Sequence, residues 1–256
     1  MEGQIYQTFL SIFLLPSNEF FCFIFALFLL GTQRQKMAIG ALQVALFIMV
    51  FNSFLKGIWQ VPLPDTLNSS GWAFPSGHMH FATGFWIFLA LSSRKSYALS
   101  IVFFMLASLA FSLHASGFHH ISDLPLAFLL GAFEALIIHY ALTHSDKPFY
   151  VSLCLFLASC VFMYLNPKSY PFLYQGLGAL AALPVIYFIT QFYDYPQRNT
   201  LDLSLCVVVL IFAISQILGL GQLELSSTLY ALVCFMLTLI SLLVPLLSKR
   251  ATTINE

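Results

Sequence analysis

The chain has 256 residues, of which 60% are hydrophobic and only 8% are charged, and its formal net charge at pH 7 is zero. A soluble domain carries about 25% charged residues, so this composition excludes an ordinary water-soluble globule. The neutral balance gives no indication of a nucleic-acid partner. The apolar runs are continuous rather than alternating, which excludes a transmembrane β-barrel.

Apolar runs of about 18 residues or more recur along the chain, and each can cross a bilayer core as a helix. We therefore predict an all-α, polytopic membrane helix bundle. The first apolar run, 5–15, is too short to span, so 1–16 is predicted to be an interfacial N-terminal segment. Nine spans are predicted after it: 17–33, 37–55, 76–93, 97–117, 120–142, 148–166, 171–193, 202–220 and 226–248.

The basic residues indicate how these spans are oriented. Nine spans place eight of the ten Lys and Arg residues on one side, leaving only Lys56 and Lys168 on the other. The positive-inside rule makes the lysine- and arginine-rich side cytoplasmic. The prediction is therefore a cytoplasmic C-terminus and a polar outer face. A bacterial inner membrane and a eukaryotic secretory membrane both fit this orientation, and the short loops favour the bacterial one, with the outer face towards the periplasm.

Three clusters of polar residues are predicted to meet at that outer face. They comprise Lys56 at the end of the second span, Pro75-Ser76-Gly77-His78 at the start of the third, and His114, His119, His120 and Asp123 around the turn between the fourth and fifth. A single histidine or a lone Ser-Gly at a helix start is usually only a satisfied polar group or a cap. The conjunction of the three clusters is what indicates a site.

The residue types in these clusters suit an anion. Pro75-Ser76-Gly77 at a helix start supplies a hydroxyl and free backbone N–H groups at the positive end of the helix dipole, and Lys56 can add a full charge. His119 and Asp123 are four residues apart, so on a helix they would share one face. The carboxylate can then orient the imidazole. A zinc site is the rival interpretation of the histidines, but the spacing favours no metal and no other cofactor.

With these motifs the sequence resembles the type 2 phosphatidic acid phosphatase superfamily of membrane lipid phosphatases and phosphotransferases. The family motifs are Lys, six residues, Arg-Pro; then Pro-Ser-Gly-His; then Ser-Arg, five residues, His, three residues, Asp. Here Lys56 precedes Leu63-Pro64 at the same spacing, PSGH is intact, and Ser112-Leu113 precedes His119 and Asp123.

The resemblance covers roughly 17–166, which it implies to be the catalytic core. It implies that His119 is the nucleophile that forms a phosphohistidine, that Asp123 orients it, and that His78 protonates the leaving group. Lys56, Ser76 and the backbone at Gly77 would bind phosphate oxygens. The substrate would be a lipid phosphate or phosphodiester.

Both family arginines are leucines here, Leu63 and Leu113. Each charge-assisted hydrogen bond is worth roughly 1.5–3 kcal/mol, so binding of a dianionic phosphomonoester should suffer. Three hypotheses stay open. The chain can be a lipid phosphatase or phosphotransferase in which His114 or His120 replaces part of the charge. It can act on a phosphodiester, in the manner of the sphingomyelin synthases, or be an inactive lipid-binding member.

Two further expectations concern the rest of the chain. Glu134 lies near the middle of the fifth predicted span, where a carboxylate is costly and a functional candidate, although a hydrogen bond between helices is the simpler interpretation. The region 171–248 is expected to form accessory transmembrane helices. Its small residues favour close packing, for example at Gly176 and Gly178.

Overall fold

A computed structural model describes residues 2–32, 34–63, 71–166 and 171–192. Within these ranges the chain forms α-helices joined by short connections, and no β-strand occurs apart from an isolated bridge between Pro62 and Trp72. This confirms the all-α prediction. The helices are α1 Glu2–Leu14, α2 Glu19–Gly31, α3 Gln35–Trp59, α4 Gly77–Ser93, α5 Ala98–Ala115, α6 Asp123–His144, α7 Pro148–Leu165 and α8 Pro171–Phe192, with a 3₁₀ turn at Leu15–Ser17.

The helices α2 to α8 coincide with the first seven predicted spans, and the last two, 202–220 and 226–248, lie outside the described residues. Four helical stretches are long and apolar enough to cross a membrane, and a bent N-terminal pair can make a fifth span. These helices are consistent with a membrane protein, while the number nine stays a prediction. The four stretches are Lys36–Trp59, Ala98–Ala115, Asp123–His144 and Pro148–Leu165.

The N-terminal part is a broken helix. The predicted span 17–33 is represented by α2, which has only 13 residues, and the stretches Thr8–Ser17 and Glu19–Ala26 meet at an angle of 56°. Pro16 lies at the break, where its ring removes a backbone donor. Its carbonyl accepts hydrogen bonds from Trp86 Nε1 at 2.9 Å and from Cys22 Sγ at 3.4 Å. The indole bond fixes the break against α4.

The centre of the bundle is formed by α3 and α4, with α6 packed along α4. Glycine permits the close contact between α4 and α6, because a Cβ built on Gly131 would lie 2.6 Å from the carbonyl oxygen of His80. Small residues at helix crossings let two backbones approach in this way. The contact aligns the N-terminal ends of the two helices, and Ser76 N–H donates to the Asp123 carbonyl at 3.3 Å.

Candidate functional site

The start of α4 is built as a capped helix N-terminus. The Ser76 hydroxyl accepts a hydrogen bond from the Met79 N–H at 3.4 Å, which satisfies one of the free donors of the first turn. Ser76 is completely buried. The Ser76 hydroxyl is therefore the N-cap of α4. The next residue, Gly77, has no side chain to cover its backbone.

The C-terminal half of α3 faces this glycine. A Cβ on Gly77 would lie 3.3 Å from Asn52 Oδ1 and 3.7 Å from Lys56 Nζ. Asn52 and Lys56 are one helical turn apart, so they present one face to the start of α4. The missing side chain of Gly77 thus lets the positive end of α4 approach the lysine ammonium closely, where even a Cβ would crowd Asn52. Two positive groups that converge in this way suit an oxyanion at the adjoining cavity.

His119 reaches the site from the turn between α5 and α6. Asp123 is the first residue of α6, and His119 lies before that helix. The prediction of a shared helical face was therefore wrong, because the turn brings the two side chains together. Reciprocal bonds of 3.0 Å shape this turn: Asp123 N–H donates to the His120 carbonyl, and His120 N–H donates to Asp123 Oδ2. His119 Nδ1 lies 3.6 Å from the same Oδ2. This distance is longer than that of a hydrogen bond. Since Nδ1 is the ring nitrogen on the side of the carboxylate, Nε2 is on the opposite side of the ring.

Burial and nearby positive charge act together on His119. Loss of hydration is the largest cause that lowers the pKa of His119 from 6.5 to about 3, and the side chains of Lys56, His78 and His120 lower it further. All these influences oppose the imidazolium form. At neutral pH the ring is therefore uncharged and carries a free nitrogen lone pair, which is the state a nucleophile needs.

A cavity of about 330 Å³ joins these groups. The rings of His78 and His119 lie in it with centroids 6.2 Å apart. The described lining residues are Ser17, Glu19, Ile48, Met49, Asn52, Ser53, Lys56, Leu63, Gly71, Trp72, Gly77, His78, Phe81, Phe118 and His119.

Four of the predicted site residues therefore meet at one cavity, and the others take different positions. Ser76 and Asp123 are buried behind its wall. His114 and His120 are exposed and are not among the described lining residues. His114 Nδ1 lies 3.5 Å from the His119 carbonyl oxygen, so its polar contact is with the turn. The four residues that meet are Lys56, Gly77, His78 and His119.

The two leucines that stand where the superfamily motifs have arginine take different positions in the fold. Leu63 lines the cavity, whereas Leu113 is completely buried in the hydrophobic core. A guanidinium at the first position would face the cavity. At the second position it would replace a well-packed core side chain.

Sequence reasoning missed several polar residues of the cavity wall. Asn52 and Ser53 belong to an apolar helix, and their position one turn before Lys56 was the signal that could have found them. Ser17 and Glu19 come from the helix break at the N-terminus. Nothing in the local sequence around Glu19 indicates that the first helices turn towards α4.

A buried polar chain leads from the cavity into the bundle. The Asn52 amide nitrogen lies 3.4 Å from the Pro75 carbonyl oxygen and 3.0 Å from His80 Nδ1, and His80 Nε2 lies 3.0 Å from Glu134 Oε2. If the amide donates both of its protons, His80 Nδ1 is an acceptor. The remaining ring proton is then on Nε2 and is donated to Glu134. The carboxylate is thus hydrogen-bonded between helices, in agreement with the simpler interpretation.

Replacing Glu134 with Gln is expected to leave stability within about 1 kcal/mol, because an amide oxygen can still accept the His80 proton. Glu134→Leu leaves that donor unsatisfied at a completely buried position and should cost about 1–3 kcal/mol. Thermal unfolding of the two purified variants in one detergent measures the difference. An equal loss in both variants would show instead that the carboxylate charge itself is required.

No family model, no curated protein and no solved structure matches this chain. In the described part of the chain, no group of three or more His, Cys, Asp or Glu side chains is arranged to hold a metal ion.

Proposed function

We propose that the chain is an integral membrane lipid phosphatase or phosphotransferase that works through a phosphohistidine intermediate. The observation that carries the proposal is the meeting of Lys56, the Gly77 backbone, His78 and His119 at one cavity. Residues from three separate parts of the sequence supply an anion site, an acid and an uncharged imidazole there. By its motifs, the chain would be a divergent member of the type 2 phosphatidic acid phosphatase superfamily.

The proposed reaction has two steps. His119 Nε2 attacks phosphorus, the bond from phosphorus to the leaving oxygen breaks, and His78 gives that oxygen its proton. In the second step His78 takes a proton from water or from an acceptor hydroxyl, whose oxygen attacks phosphorus and releases His119. Asp123 stabilises the charge that develops on the His119 ring, and Lys56 with the N-terminus of α4 stabilises the phosphoryl oxygens.

A phosphodiester head-group transferase or hydrolase is the second candidate, and Leu63 favours it. An apolar side chain lines the cavity where the superfamily motif has an arginine. A phosphodiester carries one negative charge instead of two, so it needs less neutralisation by the protein. In either case the lysine and arginine distribution supports a site on the non-cytoplasmic face, which would be the periplasmic face of a bacterial inner membrane.

The purified protein can be offered phosphatidic acid, a polyprenyl diphosphate and phosphodiester lipids under the same conditions. The expected result is release or transfer of a phosphoryl or phosphodiester group from at least one of them. A rapid quench at alkaline pH should trap an acid-labile phosphoprotein. Turnover of the monoester alone would exclude the second candidate, and no turnover of any lipid would contradict both.

The low pKa of His119 predicts an unusual pH profile. Because this ring stays uncharged down to a pH of about 3, it should contribute no acid limb near 6.5 to kcat/KM. A phosphodiester is the suitable substrate, since a phosphomonoester itself titrates near pH 6. Because His78 must be protonated to act as the acid, we expect kcat/KM to rise or level off, and not to fall, as the pH decreases from 7.5 to about 5. Lys56→Met should move the acid limb of His119 upwards because one opposing charge is removed.

The exposed Lys147 supplies the control, since Lys147→Met should leave the profile unchanged. The same low pKa has a cost in stability. Below pH 6.5 the unfolded ring binds a proton that the folded ring does not, so the free energy of unfolding should fall as pH decreases. Rates must therefore be taken where the protein is folded. A wild-type acid limb near pH 6.5 would contradict the assignment of His119 as an uncharged nucleophile.

A further inference from the structure

The cavity that holds the anion site also holds a carboxylate. Among its described lining residues, Lys56 is the one lysine or arginine and Glu19 is the one aspartate or glutamate. The nucleophilic His119 adds no charge at neutral pH. The described wall therefore pairs one basic side chain with one acidic side chain, and an acidic side chain is unfavourable for a ligand that is only anionic.

Glu19 is not explained by a contact inside the protein. Within the described chain its carboxylate makes no hydrogen bond and no ion pair, and the side chain is partly exposed to the cavity. An acidic residue in the first turn often serves the helix dipole. Here, however, the Asn18 side chain already caps α2, since its Oδ1 accepts the Phe21 N–H at 3.0 Å.

The position of Glu19 is set by the fold. It follows the 56° break between Thr8–Ser17 and Glu19–Ala26, and the bond from Trp86 Nε1 to the Pro16 carbonyl holds that break against α4. Broken helices in membrane proteins are tolerated where the interrupted backbone lines a cavity. The bend thus delivers a carboxyl group to the same cavity that α3 and α4 supply with positive potential.

Aromatic side chains also line the cavity. Trp72, Phe81 and Phe118 all line the cavity. Aromatic faces attract ammonium groups, and the effect is larger where water is excluded. A carboxylate together with aromatic rings is a suitable environment for an ammonium group, while Lys56, Gly77 and the histidines are suitable for a phosphate.

We propose that the cavity binds a zwitterionic phosphodiester head group, in which a phosphate monoanion is joined to an ammonium, and that Glu19 binds the ammonium. This rests on the proposed function and names its substrate class. A neutral ligand of this kind matches both fixed charges. A dianionic monoester would meet a single lysine and be repelled by Glu19.

The test compares two lipids with identical acyl chains and the same phosphate charge. Phosphatidylcholine carries the ammonium, and phosphatidylglycerol lacks it. In mixed micelles the wild-type protein should use phosphatidylcholine with a kcat/KM about 10-fold higher. Glu19→Gln should remove this preference by lowering the phosphatidylcholine value alone. Asp146→Asn, at an exposed residue before α7, is the matched control and should keep the preference.

A binding measurement separates this proposal from the chemistry. Glycerophosphocholine and glycerophosphoglycerol can be titrated calorimetrically into the detergent-solubilised full chain, whether or not it turns over lipid. The first should bind about 10-fold more tightly to wild type and equally to Glu19→Gln. Equal binding of both to wild type, or a preference that survives in Glu19→Gln, would overturn the ammonium site. Selective binding without turnover would overturn only the proposed reaction.

Discussion

Replacing His119 with alanine is expected to lower turnover of every substrate by on the order of 10⁴-fold or more, as removal of a nucleophile does in other covalent enzymes. The ring is buried at the cavity wall, and in the proposed reaction no other group forms the bond to phosphorus. The phosphoprotein intermediate should disappear together with the activity. Steady-state rates and the alkaline quench measure the two effects independently.

Comparison with His78 gives this prediction its specificity. In the proposed reaction His78 supplies only a proton, so His78→Ala should regain much of its activity on an ester whose leaving group needs no protonation, such as a nitrophenyl ester. His119→Ala should stay inactive on the same ester. The exposed His144 provides a control substitution, and His144→Ala should be unaffected.

Loss of His119 should leave the fold intact. In the described structure its Nδ1 has no hydrogen-bond partner, so truncation leaves few groups unsatisfied, and the unfolding temperature should change little. A folded His119→Ala protein with wild-type activity would exclude the phosphohistidine mechanism, because the reaction would then need another nucleophile.

Introducing arginine at Leu63 is expected to raise activity on a phosphomonoester by about 10- to 100-fold, the equivalent of one charge-assisted hydrogen bond. Leu63 lines the cavity, and its N–H donates to the Gly71 carbonyl at 3.3 Å. That bond belongs to the backbone and survives the substitution. The guanidinium adds a planar pair of donors beside Lys56. Activity on a phosphodiester should rise less, because one charge is already neutralised.

Two variants test whether position and charge both matter. Leu63→Gln places a polar but neutral side chain at the cavity and should not favour the monoester. Leu113→Arg puts the same charge at a completely buried core position, where an unpaired charge costs several kcal/mol. It should reduce the unfolding temperature sharply. If Leu63→Arg leaves the ratio of monoester to diester turnover unchanged, Leu63 does not determine the substrate.

The parts of the site that were predictable depend on local sequence. Pro75-Ser76-Gly77 contains its own turn and cap, so the start of α4 was predicted to within a residue. Lys56 was predicted at the end of its span and lies in the last turn of α3, because hydropathy indicates how far along a span a residue lies. Depth does not, however, fix the direction in which a side chain points around the helix axis.

The direction of each side chain around its helix axis is what could not be predicted from hydropathy. Leu63 and Leu113 both stand where a superfamily motif has arginine. Leu63 faces the cavity, whereas Leu113 faces the core. Asn52 and Glu19 reach the cavity only through the way α3 packs on α4 and through the bend at Pro16. These are properties of tertiary packing, and local hydropathy carries no signal for them.

The buried chain from Asn52 through His80 to Glu134 also constrains how the protein is inserted into its membrane. Its three members belong to α3, α4 and α6, and a polar group without a partner is costly in hydrocarbon. Since α6 is synthesised after the other two, the first helices cannot satisfy His80 by themselves. The segment from α3 to α6 is therefore expected to assemble as one unit, and a chain that ends before α6 should be recognised as incomplete by membrane quality control.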